Sequence, residues 1–269
     1  MDARGKIGQG NTADIYAWGE DRILKVFRHP ILLEIEWNIG RLIGALPVTA
    51  PQIYGIVEAQ GKRGIVYERV RGRTMMTELA ERPDQAELFG RELARLHSEM
   101  HGHPGTGLPP LKEALTQAMR RASDILPAHK ADAVVSYLSG LPDGAQICHG
   151  DFHPDNVLLG PEGPITIDWM TAVSGPPAAD AARTLLLLRH AESPEALSEP
   201  VKLSFTALRT RSLHAYEETY LQLSGLTPSE LARWELPLMA ARLGENNPQK
   251  EREKLLKLVD ERLEEAGKL

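Results

Sequence analysis

The chain has 269 residues, of which 42% are hydrophobic and 25% charged, with a formal net charge of -6. Such a composition supports a sizeable core and excludes a disordered chain, while the mild acidity argues against a nucleic-acid backbone as partner and suits a cationic small molecule. The single cysteine, Cys148, excludes an internal disulfide and a thiolate-built zinc site, and its apolar approach through Ala145 and Ile147 predicts a small buried hydrophobe.

In chain order, residues 15–18 and 23–27 are short apolar segments split by Gly19, Glu20 and Asp21, a hairpin spacing. Residues 32–45 carry helical periodicity, and 53–57 and 64–67 predict two more strands around Gln60, Gly61 and Lys62. The polar stretch 68–73 breaks the pattern, and the chain then turns largely helical. Asp84 and Glu87 have the spacing of a capping box ahead of a helix whose face is marked by Leu88, Leu93, Leu96 and Met100. One β island interrupts the helices: residues 157–159, a glycine- and proline-containing turn, and 165–167. Thr227-Pro228-Ser229-Glu230 predicts another helix start, and a last amphipathic helix after Pro248 carries Leu255, Leu256, Val259 and Leu263. The layout predicted is α+β: a small sheet-rich lobe over 1–70 and a larger, mainly helical lobe over 71–269. No apolar run reaches the roughly 18–20 residues of a spanning helix, and the first residues carry no apolar stretch of signal-peptide length, so a cytoplasmic protein with no membrane partner is expected.

The strongest chemical signal is His149-Gly150-Asp151-Phe152-His153-Pro154-Asp155-Asn156, followed by the β island and then Asp168-Trp169. Phosphoryl transfer needs a carboxylate to orient the attacking hydroxyl and take its proton, and oxygen ligands to hold Mg²⁺ against the phosphates. Asp151 and Asn156 share one loop, and a hairpin beginning directly after Asn156 folds Asp168 back beside it, so three oxygen-bearing side chains converge. Turn-forming caps would account for any one of these residues but not for their order and spacing. The second signal is the loop Gly8-Gln9-Gly10-Asn11-Thr12, where glycines admit a phosphate close to exposed amides. The following strand carries Lys25 among apolar residues, a point charge under the glycine loop that requires a carboxylate. Glu36 on the next helix is the first choice and Glu34 the alternative.

The order of G-x-G, strand lysine, helix glutamate, polar hinge, His-Gly-Asp-x-x-x-x-Asn and Asp-Trp resembles the aminoglycoside phosphotransferase and choline kinase superfamily, relatives of protein kinases. The match runs from about residue 5 to 185 and more loosely through Ala241-Arg242-Leu243-Gly244-Glu245. The resemblance implies a bilobal protein-kinase-like fold and ATP- and Mg²⁺-dependent transfer of the γ-phosphoryl group to a hydroxyl of a small molecule. It makes Asp151 the catalytic base and Asn156 and Asp168 the Mg²⁺ ligands. Gly8, Gly10 and Thr12 would lie along the nucleotide, and Lys25, paired with Glu36, would contact its α and β phosphates. Adenine would lie against backbone groups near Glu68 and Val70. Asp180 would brace the catalytic loop, and Gly175-Pro176-Pro177 departs from the Gly-Asp-Pro usual there.

Three other readings compete. A pseudokinase would bind nucleotide and serve as an interaction module. A metal-dependent hydrolase would use His149, Asp151 and His153 as ligands, but leaves the glycine loop, Lys25 and Asn156 unexplained; His149 is expected to brace the loop, and His97 and His101 to lie on a helix flank. A protein kinase would carry an arginine where this chain has Gly150, and a long activation segment ending in Ala-Pro-Glu where only eleven residues separate Asp168 from Asp180. Acceptor contacts are expected from about 185–250, with Glu245 either lining the cleft or a solvated helix end.

Overall fold

The structure, a computed structural model, describes residues 3–10, 12–59, 61–190, 199–245 and 247–267. In chain order, the elements begin with β1 (Ala3–Gln9), β2 (Ala13–Trp18), β3 (Arg22–Phe27), α1 (Pro30–Ile43), β4 (Ile53–Ala59), β5 (Lys62–Glu68), β6 (Arg73–Thr74) and α2 (Met75–Glu81). Then come α3 (Ala86–His101), α4 (Leu111–Arg121), α5 (Ala128–Ser139), β7 (Gln146–Cys148), β8 (Val157–Gly160), β9 (Gly163–Thr166) and β10 (Val173–Gly175). The chain closes with α6 (Pro177–His190), α7 (Glu199–Ser224), α8 (Pro228–Ala232), α9 (Glu235–Arg242) and α10 (Gln249–Glu265). Among the described residues no helix is long and apolar enough to cross a membrane.

Two compact units result: Met1–Glu78 with Pro154–Ala172, and Leu79–His153 with Val173–Leu269. A single cut at residue 70 does not describe this division, because the β8–β9 hairpin returns to the first unit, where β8 pairs with β6.

The first unit is built on an antiparallel sheet in the order β1-β2-β3-β5-β4. The expected hairpin is β2–β3, turning at Gly19 with φ 76°. Side chains alternate faces along a strand. Leu24 and Val26 therefore enter an apolar cluster with Trp18 and Val66, and Lys25 between them faces the other way, in register with Ile65 of β5. On that second face lies α1, started by a proline in its first turn and burying Leu33, Glu36, Ile39 and Ile43 at helical spacing. The strand β1, absent from the sequence-based expectation, pairs with β2 and makes the glycine loop the turn of a second hairpin.

In the second unit α3 and α7 pack closely, because an added Cβ at Gly90 would lie 2.2 Å from the Ser212 carbonyl oxygen. Every residue of α6 from Ala178 to Leu188 is buried, so α6 is a core helix without a solvent face. Its polar members are Asp180, Arg183 and Thr184. Beside it, β7 and β10 form a short antiparallel pair. The helix start at Thr227 is a complete capping box, and Leu255, Val259 and Leu263 are buried along α10 as expected, whereas Leu256 is half-buried.

Two expectations are corrected here. The Asp84–Glu87 capping box does not form: Pro83–Gln85 is a 3₁₀ turn, Gln85 occupies the cap without a side-chain bond, and Glu87 accepts two 2.8 Å bonds from Arg211 instead. The buried face of α3 is the expected one only in part: Leu93 and Met100 are buried as expected, and Leu96 is half-buried. Leu88 is exposed, and Phe89, Gly90, Leu93, His97, Met100 and His101 point inward.

Gly90→Val should therefore destabilise the fold by about 1–3 kcal/mol through overpacking. Gly55→Ala, where an added Cβ meets nothing within 4 Å, should shift the melting temperature far less. Thermal unfolding of the two variants checks this contrast, and equal shifts would contradict the close helix contact.

Candidate active site

In the first unit the alternation of β3 delivers Lys25 to α1. Its Nζ donates to Glu36 Oε1 at 2.7 Å and to Asp168 Oδ1 at 3.0 Å. Tyr67, two residues beyond Ile65 on β5 and so on the same face, donates its hydroxyl to Glu36 Oε1 at 2.9 Å. Burial disfavours the Lys25 ammonium, but the Glu36 and Asp168 carboxylates outweigh it and hold its pKa above the usual lysine value. Glu36 is thus the partner and Glu34 is not: Glu34 lies exposed on Arg63 at 3.1 Å.

Asp168 follows β9 and has φ 63°, the one positive φ outside glycine among the described residues. Such a backbone costs free energy in a non-glycine residue and persists where surrounding structure holds it. The holding contacts are on both sides: the Ile167 amide donates to the Asn156 carbonyl oxygen at 2.9 Å, and the Trp169 indole to the Thr166 carbonyl oxygen at 2.9 Å. Asn156, buried at the end of a 3₁₀ turn, is thereby tied to the residue before Asp168.

At the glycine loop, the Gly10 amide donates to the Ala13 carbonyl oxygen at 2.9 Å, and the Thr12 carbonyl oxygen accepts from the Arg28 amide at 3.0 Å. Asn11 lies outside the described residues. Among the described residues an added Cβ on Gly10 would meet only that Ala13 oxygen, at 3.8 Å, so packing does not require glycine there. Gly8 lies in β1 opposite Ile15. At the expected hinge, the Glu68 amide is committed to the Gln52 carbonyl oxygen at 2.8 Å, and its carboxylate accepts from the Gln52 amide at 3.1 Å; Val70 is half-buried just after β5.

The second unit holds the loop that carries Asp151. Its backbone is gripped by one face of α6. Asp180 accepts from the His149 amide at 2.5 Å and from the Gly150 amide at 2.9 Å. Arg183 Nε donates to the Gly150 carbonyl oxygen at 3.2 Å, and the Thr184 hydroxyl to the Phe152 carbonyl oxygen at 2.8 Å. Three residues at positions i, i+3 and i+4 of a helix thus hold the backbone of His149, Gly150 and Phe152. His149 is buried and accepts from the Asp151 amide through Nδ1 at 3.2 Å, the bracing role expected of it. Gly150 has φ 77°, a conformation glycine adopts without strain. Asp151 is part-exposed, with His153 Nε2 at 3.5 Å. Burial raises its pKa, but His153, then Arg183 and His149, outweigh that and hold it below the usual carboxylate range.

His97 and His101 are not flank residues. Both are buried, one turn apart on α3, and donate to Asp180 Oδ2 at 3.0 and 3.3 Å, while their Nδ1 atoms meet the hydroxyls of Tyr216 at 2.7 Å and Tyr220 at 2.6 Å. Among the described residues these two histidines and Asp180 are the one group of three metal-ligating types whose ligand atoms lie within 4.8 Å of one another; His149, Asp151 and His153 form no such group. The expected role of Asp180 as a loop brace matches these bonds. Arg183, Thr184, Tyr216 and Tyr220 went unnoticed in the sequence. The spacing Asp180-Arg183-Thr184, polar on one side of an otherwise apolar run, was the available signal. Glu245 neither floats in solvent nor stands alone: it pairs with Arg183 at 2.6 Å and Arg242 at 2.7 Å. Of the stretch 185–250, residues 191–198 and 246 lie outside the described residues.

The model of the phosphotransferase enzyme family matches residues 6–226. No curated protein matches the sequence. Among solved structures, a thermostable mutant of aminoglycoside phosphotransferase APH(4)-Ia, in ternary complex with AMP-PNP and hygromycin B, superposes with a TM-score of 0.65 at 14% identity, covering 96% of this chain and 91% of that one. An aminoglycoside-3'-phosphotransferase of type VIII gives 0.53 at 22% identity, with 89% and 90% covered. Macrolide 2'-phosphotransferase MphH from Brachybacterium faecium gives 0.50 at 20% identity, with 96% and 92% covered. At these identities the likeness shows a shared kinase-like fold.

Burial and the neighbouring His101 hold the His97 pKa down at about 3 in the folded protein. In the unfolded chain it would titrate near 6.5. Between those values the unfolded chain binds the extra proton, so stability falls as pH drops through this window. Asp180, held far below its ordinary value, adds a further loss once the unfolded carboxylate begins to protonate near 3.8. The melting temperature should thus fall from pH 6.5 to 4, and less steeply in His97→Gln; identical slopes would contradict a neutral, buried His97.

Proposed function

Because the chain belongs to the phosphotransferase enzyme family, we propose that it transfers the γ-phosphoryl group of ATP to a hydroxyl of a small molecule. The observation that carries this reading is Lys25, a buried ammonium held by Glu36 and Asp168 on the sheet face next to a glycine loop that packing leaves open.

In this proposal Lys25 contacts the α and β phosphates, and Gly8, Gly10 and Thr12 line them with backbone groups. Adenine rests on the chain near Glu68 and Val70. The residues fit a magnesium ion as well: Asp168 and Asn156 supply hard oxygen donors, and the Asp168 carboxylate is 42% exposed, which leaves room for retained waters. Bound Mg²⁺ supplies neutralising charge to the phosphates. Asp151 accepts the proton of the acceptor hydroxyl as that oxygen bonds to the γ-phosphorus and the bond to the β-phosphate oxygen breaks, releasing ADP. A carboxylate held ionised throughout the neutral range serves this role by orienting the hydroxyl in the ground state and taking its proton late.

A small acceptor is favoured over a protein by the chain between Asp168 and Asp180. It is a 3₁₀ turn over Trp169–Thr171 and the short strand β10, and α6 begins at Pro177, so no long activation segment is present to cradle a peptide. The neighbours suggest which acceptors to try first: hygromycin B and a macrolide.

The test is ADP release with these compounds, followed by mass spectrometry of the acceptor. Phosphorylated acceptor is the expected product, and transfer to a peptide alone would overturn the reading. Asp151→Asn should keep the ATP-induced thermal shift and lose about 10²–10⁴ in turnover; near-normal kcat would remove Asp151 from its role.

A further inference from the structure

The sequence places glycine immediately before Asp151, at a backbone conformation with φ 77° where a long side chain would be strained. The loop therefore brings no cation of its own next to the aspartate on that side. The structure supplies one from elsewhere. Arg183 on α6 is nine-tenths buried, with its side chain 9% exposed. Its guanidinium donates from Nε to the Gly150 carbonyl oxygen at 3.2 Å and from Nη2 to Glu245 Oε1 at 2.6 Å. Glu245 is held in turn by Arg242 Nη1 at 2.7 Å, and Arg242 donates from Nε to Glu251 at 2.8 Å. Arginine and carboxylate alternate through four residues, drawn from α6, α9, the turn after α9 and the start of α10, and their charges balance.

Resting on the proposed role of Asp151, we infer that Arg183 is a positioning residue for the catalytic aspartate: it fixes the Gly150–Asp151 peptide by its carbonyl and sets a buried positive charge beside the carboxylate, and Glu245 aims it. A planar fork reaches the two acceptors from two nitrogens held in fixed geometry; a lysine ammonium offers its three donors from a single point. The other titratable groups acting on Asp151 are His153 and His149 from the loop itself, and α6 also brings the Asp180 carboxylate, which is taken up by the His149 and Gly150 amides and by two histidine rings, so Arg183 is the cation that α6 sets there. This gives a function to the Arg242-Leu243-Gly244-Glu245 stretch that needs no contact with acceptor. Its glutamate is engaged by two arginines, and its glycine lets the chain pass the Ala118 carbonyl oxygen, 2.4 Å from where a Cβ would stand.

The experiment uses the full chain with Mg-ATP and water as acceptor, read as phosphate release, so no acceptor need be known. Arg183→Gln keeps much of the stem and a donor without the charge, and Arg183→Lys keeps the charge without the fork. A hydrogen bond to a charged group is worth enough to change kcat by about 10- to 100-fold. Arg183→Gln should show that loss with KM for ATP nearly unchanged. Its pH-rate profile should have the acid limb at higher pH than the parent, because removing a cation makes the carboxylate easier to protonate. Arg183→Lys should recover part of kcat and move the limb back. Equal losses in both variants with no displacement of the limb would mean a purely structural arginine and overturn the inference, as would parental kcat in Arg183→Gln. Asp151→Asn in the same assay separates the two ideas. If it loses activity while Arg183→Gln does not, the inference about Arg183 fails alone; if it keeps activity, the assignment of Asp151 fails.

Discussion

One carboxylate organises the helical unit. Asp180 is fully buried, and a buried carboxylate is tolerated only with its charge paired and its lone pairs filled. Here four donors fill them: the amides of His149 and Gly150, and the rings of His97 and His101. An ionised carboxylate only accepts, so each ring must donate through Nε2, which leaves each Nδ1 to bond a tyrosine hydroxyl. Tyr216 and Tyr220 provide those hydroxyls from one face of α7, matching the one-turn spacing of the histidines on α3. The need to satisfy one charge thus fixes the register of α3 against α7, places both around α6, and sets the backbone of the loop that carries Asp151. The α3–α7 approach at Gly90 is the packing that brings the two ladders into reach.

The sheet-rich unit follows the same logic with opposite charge. Lys25 is an ammonium carried on the face of β3 that its apolar neighbours Leu24 and Val26 turn away from, and it is kept charged by Glu36 and Asp168. Asp168 bonds it from a left-handed backbone, so among the described residues the one positive φ outside glycine falls on a residue proposed to hold metal. Strain of this kind is retained where neighbouring bonds over-determine it, and the Asn156–Ile167 and Trp169–Thr166 bonds do so here. Phosphotransfer depends mainly on positioned charge, and in each unit the charged groups are held by partners rather than left to solvent.

What the sequence made legible was local. The β2–β3 and β8–β9 hairpins, the glycine loop, the Asp151 loop and the Thr227 cap are each specified within about ten residues, where turn chemistry and alternation leave few choices. The pairing of Lys25 with Glu36 was also within reach, since a strand face and the next helix were both predicted. What escaped was long-range. His97 meets Asp180 across 83 residues, and Arg183 meets Glu245 across 62. Nothing in the periodicity of α3 says that two inward histidines will find an acceptor, and polar residues on an apolar helix face read more naturally as a flank. Glu87 shows the converse: a good local capping signal lost to a distant arginine that offers two charge-assisted bonds.

On the proposed reading, the Asp180 carboxylate shapes the loop for transfer by holding the His149 and Gly150 amides, and the nucleotide contacts proposed for Lys25 belong to the other unit. The direct measurement is Asp180→Asn, which keeps the side-chain shape but turns one accepting oxygen into a donor facing donors. ATP-induced thermal stabilisation should persist while Mg-ATP turnover falls by at least about tenfold, a change worth ~1.4 kcal/mol of barrier. Parental turnover in that variant would contradict the account.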